Sequence, residues 1–164
     1  MEQQLLGRLL GIDHGLARIG IAVSDALGMT ARELAVIKRK TNVEDFARIN
    51  NIAAQEKVIA FIVGLPHNEN DDTNPNAQSH TVRRWAARFA ATTTLPILFW
   101  DEQLTSVDAA EIARSKRRKP RDPIDDLAAR VMLQSYLDAL RDGLAPAPTQ
   151  TQIAPPTPPP QQEI

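Results

Sequence analysis

The sequence has no cysteine, three scattered histidines (His14, His67 and His80), few aromatic residues and no long apolar run. Without cysteine there is neither a disulfide framework nor a thiolate metal site, and the three histidines do not make a zinc constellation. Any metal must therefore sit on oxygen ligands. No stretch approaches the roughly 18 apolar residues of a membrane helix, and residues 1–7 lack the basic start and apolar core of a signal peptide. A soluble, cytoplasmic protein with no membrane partner is expected. The formal net charge of −1 gives no general basicity from which nucleic-acid binding could be inferred, so only the placement of charge can argue for it. Aromatic content is 4%, and Trp85 and Trp100 both fall in apolar core patterns, so a base-stacking platform is not expected.

What is present divides in two. Residues 1–143 have the composition of one domain of ordinary size. Residues 144–164 hold seven of the twelve prolines, together with Gln and Thr and almost no large apolar residue. Such a segment cannot offset its ordering entropy and is expected to be a disordered, Pro/Gln-rich tail.

Within the domain, residues 8–14 form a short apolar strand, Gly15 offers a turn that tolerates positive φ, and residues 18–24 return as a second strand. Residues 30–40 supply a third, giving an antiparallel meander. Thr41 or Asn42 then caps a helix to about Lys57, with Val43, Phe46, Ile49, Ile52 and Ala53 at helical spacing. The continuous apolar run 58–63 reads as a strand buried on both faces, and a polar Asn/Asp loop follows Gly64-Leu65-Pro66. A helix over residues 77–91 places Val82, Trp85, Ala86 and Phe89 on one face. Residues 95–101 form a further buried strand, ending in Asp101 and Glu102. A helix starting at Thr105 or Ser106 runs into the basic cluster Lys116, Arg117, Arg118, Lys119 and Arg121, and a last helix spans residues 124–141 and stops at Gly143.

Asp13 lies inside an apolar strand, where an ionised carboxylate costs several kcal/mol to bury unless a hydrogen-bonded partner or a cation compensates it. At about 100° per residue, Asp125 shares the face of Ala129, Met132 and Tyr136, whereas Asp126 leads into Arg130, Gln134 and Arg141. Asp125 therefore points inward. Its alternative role is a helix cap turned back on the backbone. With one of the acids that end the 95–101 strand, Asp13 and Asp125 would form a carboxylate set suited to hard divalent cations. Two such ions about 3.5–4 Å apart can activate water and stabilise the leaving oxygen of a phosphodiester.

The chain resembles the YqgF/RuvX family of RNase H-like nucleases over nearly all of residues 9–140. The resemblance is carried by GIDHG at 11–15 with RIGIAVSD at 18–25, GLP at 64–66, DEQLTS at 101–106, and IDDLAA at 124–129 followed by LQSYL at 133–137. It implies an α/β, RNase H-like fold: a five-stranded mixed sheet flanked by helices on both faces. It also implies that Asp13, Glu102 and Asp125 are the catalytic, metal-binding acids, choosing Glu102 over Asp101, and that the cofactor is Mg²⁺ or Mn²⁺, as two ions. The implied activity is metal-dependent endonucleolytic hydrolysis in maturation of the pre-16S rRNA 5′ end. The alternatives are a Holliday-junction resolvase acting on branched DNA and a catalytically weak nucleic-acid-binding or ribosome-assembly factor.

The sequence departs from the family pattern in three places. Ala17 stands where Lys is common, Gln103 where Arg is usual, and the segment NENDDTNPN at 68–76 replaces a short Asp-Gly turn. The first two remove positive charge near the expected site. Arg18 and the cluster Lys116, Arg117, Arg118, Lys119 and Arg121 are the candidate phosphate-binding cations, each phosphate they neutralise adding about one unit to the salt slope of binding. The expected partner is structured RNA or branched DNA, with a homodimer left open.

Overall fold

In the computed structural model the structure describes residues 7–66, 78–101 and 127–148. Five strands form one mixed sheet in the order β3-β2-β1-β4-β5. They are β1 (Arg8–His14), β2 (Arg18–Ser24), β3 (Ala31–Lys38), β4 (Val58–Leu65) and β5 (Ile97–Asp101). β1, β2 and β3 make the expected antiparallel meander, whereas β4 pairs parallel with β1 and β5 parallel with β4. Two helices, α1 (Asn42–Glu56) and α2 (Gln78–Ala90), cover one face, and α3 (Leu127–Arg141) covers the other.

Strand alternation builds two cores on the two faces of this sheet. Leu10, Ile12, Ile19, Ile21, Phe61 and Val63 meet Phe46, Ile49, Trp85 and Phe89 from α1 and α2. On the other face Leu9, Ala22, Ala60 and Ile62 meet Ala129, Leu133, Tyr136 and Leu137 from α3. The strands contribute small residues on the α3 side. A Cβ at Gly11 would lie 2.9 Å from the Leu133 Cβ, and one at Gly64 would lie 3.0 Å from the Met132 Cγ, so α3 rests close to the sheet backbone.

Thr41 caps α1, its hydroxyl accepting from the Glu44 N–H at 3.2 Å, and Lys57 ends the helix in the left-handed conformation at φ 56°. Val43 does not join the apolar face of α1. It is 79% exposed, and the buried first-turn residue is Asp45, whose Oδ1 accepts the Lys40 N–H at 3.0 Å. A carboxylate is accommodated there because the chain entering the helix supplies a donor. The Gly15 turn also differs in detail from expectation. The described residues with positive φ are Gly28, Lys57 and Gly143, and Gly15 is required instead by a close approach, since a Cβ there would lie 2.6 Å from the Arg18 carbonyl oxygen.

Gly143, at φ 73°, ends α3 as expected. The next residues turn back onto that helix. Ala145 and Ala147 pack against the second core, and the Tyr136 hydroxyl donates to the Pro146 carbonyl at 2.6 Å. The remainder of the expected tail, residues 149–164, lies outside the described residues, as do the polar loop after Pro66 and the helix expected from Thr105 or Ser106.

Candidate active site

Asp13 is the penultimate residue of β1, half-buried, with Gly20 of β2 directly opposite it. It lies on the α3 side of the sheet, in alternation with Leu9 and Gly11, and Gly20 places no side chain beside it. From β1 the chain turns into β2 on one side, whereas from β4 it passes through α2 to β5 on the other. The carboxyl ends of β1 and β4 therefore flank a topological switch point, where open α/β sheets bind their ligands. Asp101 ends β5 at the same edge of the sheet, its backbone in register with Leu65.

α3 brings its N-terminus toward this end. Leu133 lies over Gly11, while Gln134 accepts from the Ala31 N–H at 2.8 Å and donates to the Met29 carbonyl at 3.0 Å, fixing the C-terminal half beside the start of β3. The first turn of α3 consequently lies toward Asp13, where the positive end of the helix dipole favours negative charge. Ala129, Met132 and Tyr136, the residues that define the inward face assigned to Asp125, are buried against the sheet.

His14 takes no part on this face. It is buried on the opposite side against Trp85, with ring centroids 4.8 Å apart, and its Nε2 has no hydrogen-bond partner. Burial, reinforced by the positive charge of Arg39, pushes its pKa down to about 4, against smaller upward effects of its own backbone and Asp45. The imidazole is neutral and turned away from Asp13. Among the described residues the donor on this face is thus the Asp13 carboxylate, an oxygen ligand of the kind that hard divalent cations prefer. Among the described residues no three His, Asp or Glu side chains cluster as a metal site.

Arg39 braces the turn that follows Asp13 and His14. It donates to the Gly15 carbonyl at 3.2 Å and to the Asn42 Oδ1 at 3.1 Å, and its Nε lies 3.6 Å from the buried Asp45 Oδ2. Sequence reasoning placed this residue at the end of the third strand and gave it no role. The available signal was the run Lys38-Arg39-Lys40 immediately before a helix cap. Arg18, one of the expected phosphate ligands, is exposed on β2 and diagonal to Asp13 across the β1–β2 pair, within reach for a long side chain. Glu102, Asp125 and the cluster Lys116, Arg117, Arg118, Lys119 and Arg121 lie outside the described residues.

The sequence profile of the RuvX family, described as Holliday junction resolvase, matches residues 7–139. The chain belongs to the RuvX family. A relative from Symbiobacterium thermophilum named "putative pre-16S rRNA nuclease" is 41% identical over 138 residues, covering 80% of this chain and 92% of that one. A relative of the same name from Thermoanaerobacter pseudethanolicus is 40% identical over 142 residues, covering 82% and 99%. Among solved structures, Thermus thermophilus RuvC in complex with a Holliday junction substrate superposes with a TM-score of 0.56 at 18% identity, covering 87% of this chain and 99% of that one. RuvC and this RuvX chain thus share the RNase H-like fold expected from the sequence, and the family is one of nucleases. Among the described residues no helix is long and apolar enough to cross a membrane.

Proposed function

We propose that this RuvX protein is a Mg²⁺- or Mn²⁺-dependent endonuclease that hydrolyses phosphodiester bonds in structured RNA, its substrate being the 5′ end of pre-16S rRNA. The observation that carries this reading is the position of Asp13: a carboxylate at the switch point of the sheet, on the α3 face, with the exposed Arg18 diagonal to it. Its metal-binding partners are Glu102 and Asp125. Support for Asp125 is that the helical face assigned to it, that of Ala129, Met132 and Tyr136, is the face packed on the sheet. Support for Glu102 is that Trp100, two residues before it, turns to α3, its Nε1 donating to the Ser135 Oγ at 3.1 Å. When bound, two divalent ions would supply an activated water and neutralise charge on the phosphoryl oxygens. Arg18 would hold a neighbouring phosphate while water attacks the phosphorus in line.

A second reading, cleavage of branched DNA, is favoured by the family description. Cleavage of a pre-16S 5′ leader and of a four-way junction under one metal condition separates the two. Asp13→Asn tests the site itself. Because clustered carboxylates repel when no cation is present, this variant is expected to melt higher than wild type without metal, while losing cleavage and Mg²⁺-induced stabilisation. Undiminished cleavage by Asp13→Asn would sink the proposal, and absence of metal-dependent cleavage by wild type would leave a binding or assembly factor.

A further inference from the structure

The edge of the sheet next to Asp13 carries a charge arrangement that folding alone does not favour. Arg18 of β2 and Lys38 of β3 are directly opposite each other in the antiparallel register. Their neighbours Ile19 and Ile37 are both buried in the α1/α2 core, so by alternation Arg18 and Lys38 share the α3 side of the sheet with Asp13. Like charges placed directly opposite destabilise a strand pair. Among the described residues Arg18, Lys38 and Lys40 are exposed and form no ion pair. The nearby acids are otherwise placed, with Glu33 paired to Arg130, Asp45 buried against Arg39, and Glu44 exposed in the first turn of α1. Arg48 adds a further cation at this corner and fixes it, donating to the Lys38 carbonyl at 3.0 Å.

We propose that Lys38 and Lys40 extend the Arg18 subsite into a phosphate-binding track, which leads the backbone of structured RNA from Asp13 outward over the edge strand β3. The track has the features such a role needs. It begins beside the reacting end of the site, it is held by backbone pairing and the Arg48 bond, and among the described residues its cations are not committed to protein acids. A row of backbone contacts positions a duplex without reading its bases, which suits a chain lacking exposed aromatic platforms among its described residues. This inference rests on the nuclease reading for the identity of the ligand.

The test is the salt dependence of binding to a fluorescent RNA hairpin carrying a single-stranded 5′ leader, with Ca²⁺ as the divalent cation. Wild type, K38Q/K40Q and K57Q/R88Q are compared, the last removing equal charge from the opposite end of the sheet, where Lys57 precedes β4 and Arg88 lies in the last turn of α2. Loss of two phosphate contacts should reduce the magnitude of the slope of log Kobs against log salt by about 1.5 in K38Q/K40Q. The control should keep the wild-type slope. The melting temperature of K38Q/K40Q should be unchanged or raised, since a like-charge pair is removed. An unchanged slope in K38Q/K40Q, an equal fall in the control, or a lowered melting temperature accompanying the binding loss would each overturn the track while leaving the nuclease reading intact. Failure of wild type to bind the RNA at all would overturn both. A slope change seen with a four-way DNA junction and absent with RNA would overturn the assignment to RNA.

Discussion

Gly11→Ala should separate the close packing of α3 from the general tolerance of strands for small residues. The added methyl would lie 2.9 Å from the Leu133 Cβ, 3.2 Å from its Cδ2 and 3.4 Å from its Cγ. The shortest contact is about 0.6 Å inside the usual 3.5–4.0 Å carbon separation. Because Cβ is fixed to the helix backbone, no rotamer of Leu133 relieves it and α3 itself must lift. Overpacking of this kind costs about 1–3 kcal/mol, and the reduced freedom of the unfolded chain returns about 0.4–1 kcal/mol. A net loss of about 1–2 kcal/mol is expected, equivalent to roughly 2–8 °C in a domain of this size. Gly64→Ala has a similar nominal overlap, 3.0 Å to the Met132 Cγ, but that atom lies beyond Cβ on a flexible side chain. It should cost less than half as much. Urea unfolding of the two variants and of Gly11→Ala/Leu133→Ala tests the reasoning, since the Leu133→Ala change retains the offending Cβ and should not rescue. Gly11→Ala within about 0.5 kcal/mol of wild type, or rescue by Leu133→Ala, would refute it.

Two further outcomes follow from local geometry. Thr41→Ala removes the side chain that accepts the Glu44 N–H and should lower stability by about 1 kcal/mol, measured by urea midpoint, whereas Thr41→Ser should hold it. His14 is held near pKa 4 in the fold against an ordinary value of 6.5, so the unfolded chain takes up a proton first as pH falls. Stability should therefore be lost from about pH 6.5 down to about pH 4, by at most about 3 kcal/mol for this group. His14→Phe should flatten that part of the pH profile; parallel profiles for variant and wild type would contradict it.

Much of the fold was legible because its signals are local. The alternation in residues 18–24, the apolar run from Val58 and the cap at Thr41 each follow from backbone physics that needs no knowledge of distant contacts. The inward face of the last helix was legible for the same reason, and Ala129, Met132 and Tyr136 are buried as its period requires. What escaped depends on tertiary placement. Val43 has the right spacing for the apolar face but sits in the first turn of α1, away from the core, while the carboxylate of Asp45 is buried because Lys40 and Arg39 meet it there. The opposition of Arg18 and Lys38 depends on strand register, which the nineteen intervening residues do not reveal by pattern alone. Asp13 was identifiable by its apolar surroundings, but the sequence could not show that it stands at the switch point between β1 and β4.

Neighbouring residues in β1 serve opposite faces: Asp13 belongs to the α3 side and His14 is packed against Trp85 on the other. A one-residue slip of this strand would exchange them, driving a carboxylate into the aromatic core and an imidazole into the site. The register that aligns the reactive acid is thereby the register the core enforces. A chain that has folded stably has already placed Asp13, so errors in strand pairing should appear as unfolded protein and not as a well-folded population with a misassembled centre.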